Sequence, residues 1–334
     1  MLLNDRIKSF ETLGNRLNNL STEEIEELCL SARNENAWFV EQNVKLALDG
    51  ISLFLNKADL ESWLKGYELD KLSQKKIGVI AAGNIPLVGF HDVLCVLLSG
   101  HHLMIKMSAK DDVLMRFVLE ELFKIESVFK SQVTFVERLN EADAFIATGS
   151  DNSARYFEYY FKNKPHVIRK NRTSVAVLTG KETPADFKRL GDDIFQYYGL
   201  GCRNVSKVFV PKGYNFTPFL DGLASFAHVA NHHKYCNNYD YNKSIYLVNR
   251  ELFLDTEFLL VRASEELVSP ISVLFYQEYG DENELNNWLS DQKDKIQCIV
   301  GPGNGMIPFG EAQKPRLWDY ADGVDTMTFL SQLS

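Results

Sequence analysis

The hydrophobic pattern changes character near Lys76. Before it, apolar residues recur at helical spacing, over residues 25–32 and again over 36–48. Ser21-Thr22-Glu23-Glu24 has the form of a capping box ahead of the first of these stretches. After it come short runs rich in β-formers, at 77–81, 103–107, 133–136 and 144–147. Between them the pattern predicts a helix over 87–98, apolar on every side and closed by Gly100, and an amphipathic helix over 111–129. A helix with no polar face belongs under neighbours on all sides. Strand–helix alternation predicts a mostly parallel sheet covered on both faces.

A second alternation starts near Ser174. Strands are expected at 174–178, 207–210, 244–248, 271–276 and 296–300, with helices at 184–198, 216–233 and 281–295. The tail from Gly301 is rich in Gly and Pro, then offers Thr326-Met327-Thr328-Phe329-Leu330 as a last strand. The fold class expected is α/β, with two Rossmann-type three-layer lobes and a cleft between them. The corresponding divisions are a helical segment over 1–75, a nucleotide-binding lobe over 76–179, a catalytic lobe over 180–305 and a C-terminal return over 306–334.

Composition narrows the function. Lys plus Arg number 36 against 45 for Asp plus Glu, a net charge of −9, so nucleic acid is not an expected partner. No run approaches the ~18 apolar residues of a membrane span, and the opening residues carry Asp5 where a signal peptide would be apolar. The 5 cysteines have no framework spacing, which suits free thiols and a cytoplasmic setting.

One of those thiols stands out. Cys202 lies in Gly199-Leu200-Gly201-Cys202-Arg203-Asn204, just before the apolar run Val208-Phe209-Val210. A structural cysteine normally sits inside an apolar run, whereas this one has Gly on one side and a cation on the other, a setting that favours thiolate. An inert loop cysteine is the alternative. Four other patches lie at turns beside strands. Asn84, in Gly83-Asn84-Ile85-Pro86, can offer a side-chain amide to an oxyanion, and equally suits a helix cap. Lys106 and Ser108 close a strand, where ligands of open α/β sheets bind. Thr148-Gly149-Ser150 leads from a strand into a helix and can receive an anionic group on free N–H donors. Glu266 belongs to an acidic pair whose carboxylate can accept from ribose hydroxyls, or merely face solvent.

Taken in order, these patches resemble the aldehyde dehydrogenase superfamily, and within it the LuxC-like fatty acyl-CoA reductases. The resemblance runs from about Lys75 to Leu330. It rests on Gly83-Asn84-Ile85-Pro86, Lys106-Met107-Ser108, Thr148-Gly149-Ser150, Cys202, Glu266-Leu267-Val268-Ser269-Pro270 and Ile307-Pro308-Phe309-Gly310, with a basic residue five places after the cysteine. It implies an acyl-CoA reductase in which Cys202 is the nucleophile and Asn84 holds the oxyanion. Lys106, Ser108, Thr148, Gly149, Ser150 and Glu266 would border a nicotinamide cofactor, NADPH in preference to NADH. Ordinary family members carry a Glu that activates the deacylating water. Here the segment is Ile168-Arg169-Lys170-Asn171-Arg172-Thr173-Ser174, with no carboxylate. A thioester-reducing enzyme does not need that base, and Lys170 and Arg172 suit CoA phosphates or a solvated turn. The substrate is then acyl-CoA or an acyl group on a protein thiol. A homo-oligomer is compatible with the family, although the chain is short and the inter-subunit hairpin correspondingly reduced.

Other readings stay open. An acyl-phosphate reductase or aldehyde dehydrogenase would use the same cysteine, and a nucleotide-binding subunit without chemistry would use none. His228, His232 and Cys236 would share one face of a continuous helix, but span ~12 Å at 1.5 Å per residue, so a metal site is not expected.

Overall fold

The computed structural model describes residues 1–70, 72–149 and 151–333. The chain forms two units, Met1–Asn171 with Arg316–Ser334, and Arg172–Pro315. The division falls at 171 rather than 179 because the strand opening at Thr173 pairs with strands of the second unit, and the return starts at 316 rather than 306.

The first unit opens with helices α1 (Leu3–Asn18), α2 (Thr22–Glu35), α3 (Glu41–Phe54) and α4 (Lys57–Leu64). The capping box of α2 forms as expected: Glu24 N–H donates to the Ser21 hydroxyl at 3.2 Å and Ser21 N–H to the Glu24 carboxylate at 2.8 Å. Then follow β1 (Lys76–Ile80), α5 (Phe90–Ser99), β2 (His102–Lys106), α6 (Asp112–Ile125), α7 (Val128–Gln132), β3 (Val133–Phe135), β4 (Ala144–Thr148), α8 (Asp151–Phe161) and β5 (His166–Arg169). The sheet is parallel throughout, in the order β3-β2-β1-β4-β5.

Its two faces read directly from strand alternation. Ile77, Val79, Leu103, Ile105, Ala144 and Ile146 face a core shared with α1 to α6. Met104, Phe145 and Ala147 face a smaller cluster with Leu139 and Phe161. Helix α5 is buried all round, with Val93 through Leu98 at 0% exposure, and ends on Gly100 in the left-handed region at φ +86°.

The C-terminal return ends in α13 (Thr326–Ser331). This segment is a helix, not the expected strand. Asp325 accepts from Thr328 N–H at 2.8 Å as an N-cap, and Met327 and Leu330 bury one helical turn apart. Arg169 secures the return, donating to the Thr326 hydroxyl at 2.8 Å while paired with Asp92 at 2.7 Å.

The second unit contains β6 (Thr173–Val177), α9 (Pro184–Phe195), β7 (Val205–Pro211), α10 (Thr217–Gly222), α11 (His233–Asn249), β8 (Leu254–Asp255), β9 (Leu260–Ala263), β10 (Val273–Tyr279), α12 (Glu282–Asp291) and β11 (Ile296–Val300). Its sheet runs β11-β6-β7-β10-β9-β8, parallel except for β8.

Two expectations fail in this unit. The β-branched run at 244–248 lies inside α11, and so does the Asn-rich stretch before it. Tyr235, Tyr239, Asn242 and Tyr246 bury at helical spacing, with Tyr239 and Tyr246 packing on β9 and β10, while Leu247 and Val248 are left exposed. Packing of one helical face overrides the local β preference here. The helix expected over 216–233 is also broken, because His232 takes an extended conformation (φ −83°, ψ 115°) ahead of α11. His228, His232 and Cys236 therefore do not share a helix face. No helix among the described residues is long and apolar enough to cross a membrane.

Candidate active site

In the first unit the chain runs β1 to β2 to β3 in one direction, then returns to place β4 on the other side of β1. Ligands of open α/β sheets bind beyond the carboxyl ends of the strands at such a reversal. Asn84 follows β1, Lys106 ends β2, and Thr148 and Gly149 end and follow β4, so the expected residues leave three adjacent strands at one edge. Asn84 and Lys106 are exposed; Ser108, Thr148 and Gly149 are half-buried. Ser150 lies outside the described residues.

Two glycines let backbone approach closely here. A Cβ on Gly83 would stand 2.4 Å from the Ser108 hydroxyl, which brings the first two patches into contact. One on Gly149 would stand 2.8 Å from Ser153 Cβ, against the start of α8. The turn after β1 is held at both ends: Asn36 donates to the Gly83 carbonyl at 3.3 Å, and Leu87 N–H donates to Asp111 at 2.7 Å. Burial pushes the Asp111 carboxyl up to about 8 against the Leu87 hydrogen bond, and Glu35 and Asp112 act in the same sense as burial.

In the second unit Cys202 is half-buried in a loop built largely by Asn204. That side chain is 3% exposed; it accepts from Gly201 N–H at 2.8 Å and donates to the carbonyls of Asp193, Ile194 and Gln196. These are orphan acceptors at the end of α9. The helix stops there because Tyr197 and Tyr198 take left-handed conformations at φ 52° and 57°, followed by Gly199 at 77°. Two consecutive non-glycine residues in that region store about 1–2 kcal/mol each, and strain of this kind gathers at functional sites. Ser174 of β6 donates to the Cys202 carbonyl at 3.0 Å and lies 3.0 Å from the Cys298 sulfur.

The other second-unit patches converge on this loop. Arg203 donates to the Ala312 carbonyl, tying the Cys202 loop to the return turn. Asp193 accepts from Gly310 N–H at 2.7 Å and Ala312 N–H at 2.9 Å, tying Pro308-Phe309-Gly310 to α9. Burial raises its carboxyl to about 6 against those two hydrogen bonds. Lys207, fully buried on β7, donates to the carbonyls of Ser264, Glu265 and Glu266 and to Gln277. Burial holds its ammonium down at about 8, opposed by Glu265. Glu266 itself is exposed.

Lys170 and Arg172 are less concentrated than the sequence suggests. Lys170 pairs with Glu158 on α8 at 2.9 Å, and Arg172 donates to the Ile296 carbonyl at 3.2 Å. Asn36, Asp111, Asp193 and Asn204 escaped the sequence reading, since a buried polar side chain looks like any surface one until the fold covers it; Lys207 entered it only as the basic residue five places after the cysteine, without its partners. Among the described residues no three His, Cys, Asp or Glu side chains gather as a metal site requires.

Residues 39–224, more than half of the chain, match the family described as acyl-CoA reductase (LuxC). The chain belongs to that family. The match includes Asn84, Lys106, Ser108, Thr148, Gly149, Ser150 and Cys202 and stops short of Glu266. Among solved structures, the chain is similar to aldehyde dehydrogenase 21 of Physcomitrella patens in complex with succinate, at 12% identity and a TM-score of 0.66, over 91% of this chain and 74% of that one. An NAD+ complex of an aldehyde dehydrogenase from Bacillus cereus aligns at 12% identity and 0.64, over 91% and 72%. An NAD+ complex of an aldehyde dehydrogenase from Mycobacterium tuberculosis gives 13% and 0.62, over 91% and 74%. These likenesses establish the aldehyde dehydrogenase fold. No curated protein sequence matches the chain. Membership of this family supports an oxidoreductase acting on aldehydes.

Proposed function

We propose that the chain reduces an acyl thioester of CoA to the aldehyde through an acyl-enzyme on Cys202. The observation that carries this reading is the loop itself: a half-buried thiol on a strained turn, braced by Asn204 and Ser174 at the head of a parallel strand. The segment from Ile168 to Ser174, which offers no carboxylate for hydrolysis, supports a thioester substrate over oxidation to the free acid.

In the proposed sequence the Cys202 thiolate attacks the thioester carbonyl and a new carbon–sulfur bond forms. The oxyanion accepts from the Asn84 side-chain amide and the Cys202 N–H, donors of a kind worth about 3 kcal/mol each in such sites. The bond to CoA breaks, and its sulfur departs with the electron pair and takes a proton. A bound reduced nicotinamide supplies the hydride. The thiohemiacetal on Cys202 then collapses, releasing aldehyde and restoring the thiolate. An ordinary thiol of pKa about 8.5 is only a few per cent ionised at neutral pH, so Arg203 beside it favours the reactive form.

The first unit would hold the dinucleotide. Gly83 and Gly149 leave no space for side chains where their turns pack on Ser108 and Ser153, and Lys106 is exposed at the end of β2, beside the strand that leads to Gly83. Lys106 and Ser108 would hold the adenosine ribose, and Thr148, Gly149 and Ser150 the nicotinamide side. Glu266 would take the nicotinamide ribose, its loop backbone anchored by Lys207. NADPH is the preferred donor. Lys170 and Arg172 would add weak attraction for CoA phosphates, since both already have partners.

The test is NADPH oxidation followed at 340 nm across acyl-CoA chain lengths, with Cys202→Ser as control and mass spectrometry for an acyl adduct. Aldehyde formation in step with NADPH loss, and an adduct on Cys202 alone, support the reading. Turnover with acyl phosphate and none with acyl-CoA moves it to the acyl-phosphate reductases. A Cys202 that alkylates no faster than the other thiols, with no turnover of either, leaves a nucleotide-binding subunit.

A further inference from the structure

Asp111 stands at the start of α6, where an Asp ordinarily accepts from the first N–H groups of its own helix. It does not cap that helix. Val113 N–H is taken instead by Glu35 of α2, at 3.1 Å. The Asp111 carboxyl reaches across to Leu87, whose N–H donates to its Oδ2 at 2.7 Å. The side chain is 3% exposed, and its other oxygen has no hydrogen-bond partner among the described residues. Burying a carboxyl with one oxygen unmatched is costly, and capping the helix would have been the cheaper local choice.

What the contact secures is the backbone of Leu87. This residue is in the left-handed region at φ 57°, a conformation that costs a branched side chain about 1–2 kcal/mol. It is also the residue at which the turn carrying Asn84 joins the approach to α5. The opposite end of that turn is held by Asn36 at the Gly83 carbonyl, and Gly83 packs on Ser108 and on Asp111 Cβ. Between two fixed ends Asn84 is exposed.

We propose that Asp111 is a positioning residue: by holding Leu87 left-handed it sets the path of the Asn84-Ile85-Pro86 turn and so the placement of the Asn84 amide. The inference rests on the reading of Asn84 as an oxyanion donor, but its structural half stands apart from it.

Two variants separate the possibilities. Asp111→Ala removes the acceptor; Asp111→Asn keeps a side-chain oxygen for Leu87 N–H. Hydrogen exchange of the Leu87 amide is expected to speed up by at least about tenfold in Asp111→Ala, as a lost protecting bond requires. In the same variant kcat for acyl-CoA reduction should fall at least about tenfold with the KM for NADPH within about threefold, the signature of a contact made in the transition state. Asp111→Asn should return both to within about threefold of wild type on the same scale. Unchanged exchange and kcat in Asp111→Ala, or an Asn variant as impaired as the Ala one, overturns the proposal. Should Asp111→Ala fail to fold, Asp111→Glu displaces the acceptor by one methylene and is expected to reproduce its kinetic loss. A wild-type protein inactive on acyl-CoA would instead defeat the reading of Asn84, and the exchange measurement alone would then decide the role of Asp111.

Discussion

Lys207 Nζ lies 3.1 Å from the carbonyl oxygen of Glu266, and the same ammonium reaches the two preceding carbonyls. A single buried cation thus joins the strand that follows the Cys202 loop to the loop that carries Glu266. Both patches belong to the second unit, and sequence alone placed them about sixty residues apart.

Replacing Lys207 with Met tests that link. Three carbonyls and the Gln277 oxygen would lose their donor in a fully buried setting. At about 1–3 kcal/mol for each unsatisfied group, the expected loss of stability is several kcal/mol, seen as a clear fall in melting temperature by calorimetry. Lys207→Arg, which keeps the charge, should recover most of it. If the Met variant melts within a degree of wild type, the carbonyls do not depend on this ammonium.

Asn204→Ala should damage the nucleophile loop without touching the thiol. The side chain accepts from Gly201 and donates to three carbonyls at the end of α9. The expected cost is about 2–3 kcal/mol of stability, together with slower alkylation of Cys202 by iodoacetamide. Equal alkylation rates would mean that the loop holds its form by other contacts.

Cys202→Ser should lower acyl-CoA reduction by at least about a thousandfold, because an alcohol is a far weaker nucleophile at neutral pH. Cofactor binding, read by fluorescence quenching, should persist. Cys298→Ser serves as the comparison, since its sulfur lies beside Ser174 and is expected to leave most of the rate intact. A reversal of these two outcomes would move the nucleophile to Cys298.

The pH dependence of stability should carry the mark of Asp111. Its carboxyl titrates near 8 in the folded chain, against 3.8 for an ordinary Asp. Between those values the folded state keeps a proton that the unfolded state has lost, so this group makes stability fall as pH rises from about 4 to about 8. Asp111→Asn lacks the effect. The melting temperature of the Asn variant relative to wild type should therefore climb between pH 5 and pH 9 by several degrees, on the scale of about 2–4 °C per kcal/mol. A difference that stays flat with pH would show that the carboxyl is not held neutral.

Much of the sheet structure was open to reading before any fold was known. Several strands and helices after Lys76 lie on the apolar runs that predicted them, and β11 matches its expected range residue for residue. Helix α5 was legible from the unbroken apolar run Val93 to Leu98 and the glycine that ends the helix. The expected strands at 244–248 and 326–330 failed for one shared reason. Short β-branched runs do not reveal whether a helical face is waiting to bury, and Tyr239 with Tyr246, or Met327 with Leu330, settled that only on packing.

The candidate site divides in the same way. Asn84, Lys106, Thr148 and Cys202 announce themselves by residue type beside a turn, since chemistry at a strand end needs those groups locally. Their supports do not. Asp111 looks like a helix cap and Asn204 like a loop residue until the chain closes over them, and the spacing that marks Lys207 does not show the carbonyls it holds.

Local order in the amino-acid chain determined the strand–helix rhythm, the turns and the reactive side chains, because each depends on a few neighbouring residues. Tertiary structure alone decided which polar groups were buried and what they had to hold, because a lost hydration shell must be replaced by partners that arrive from distant segments.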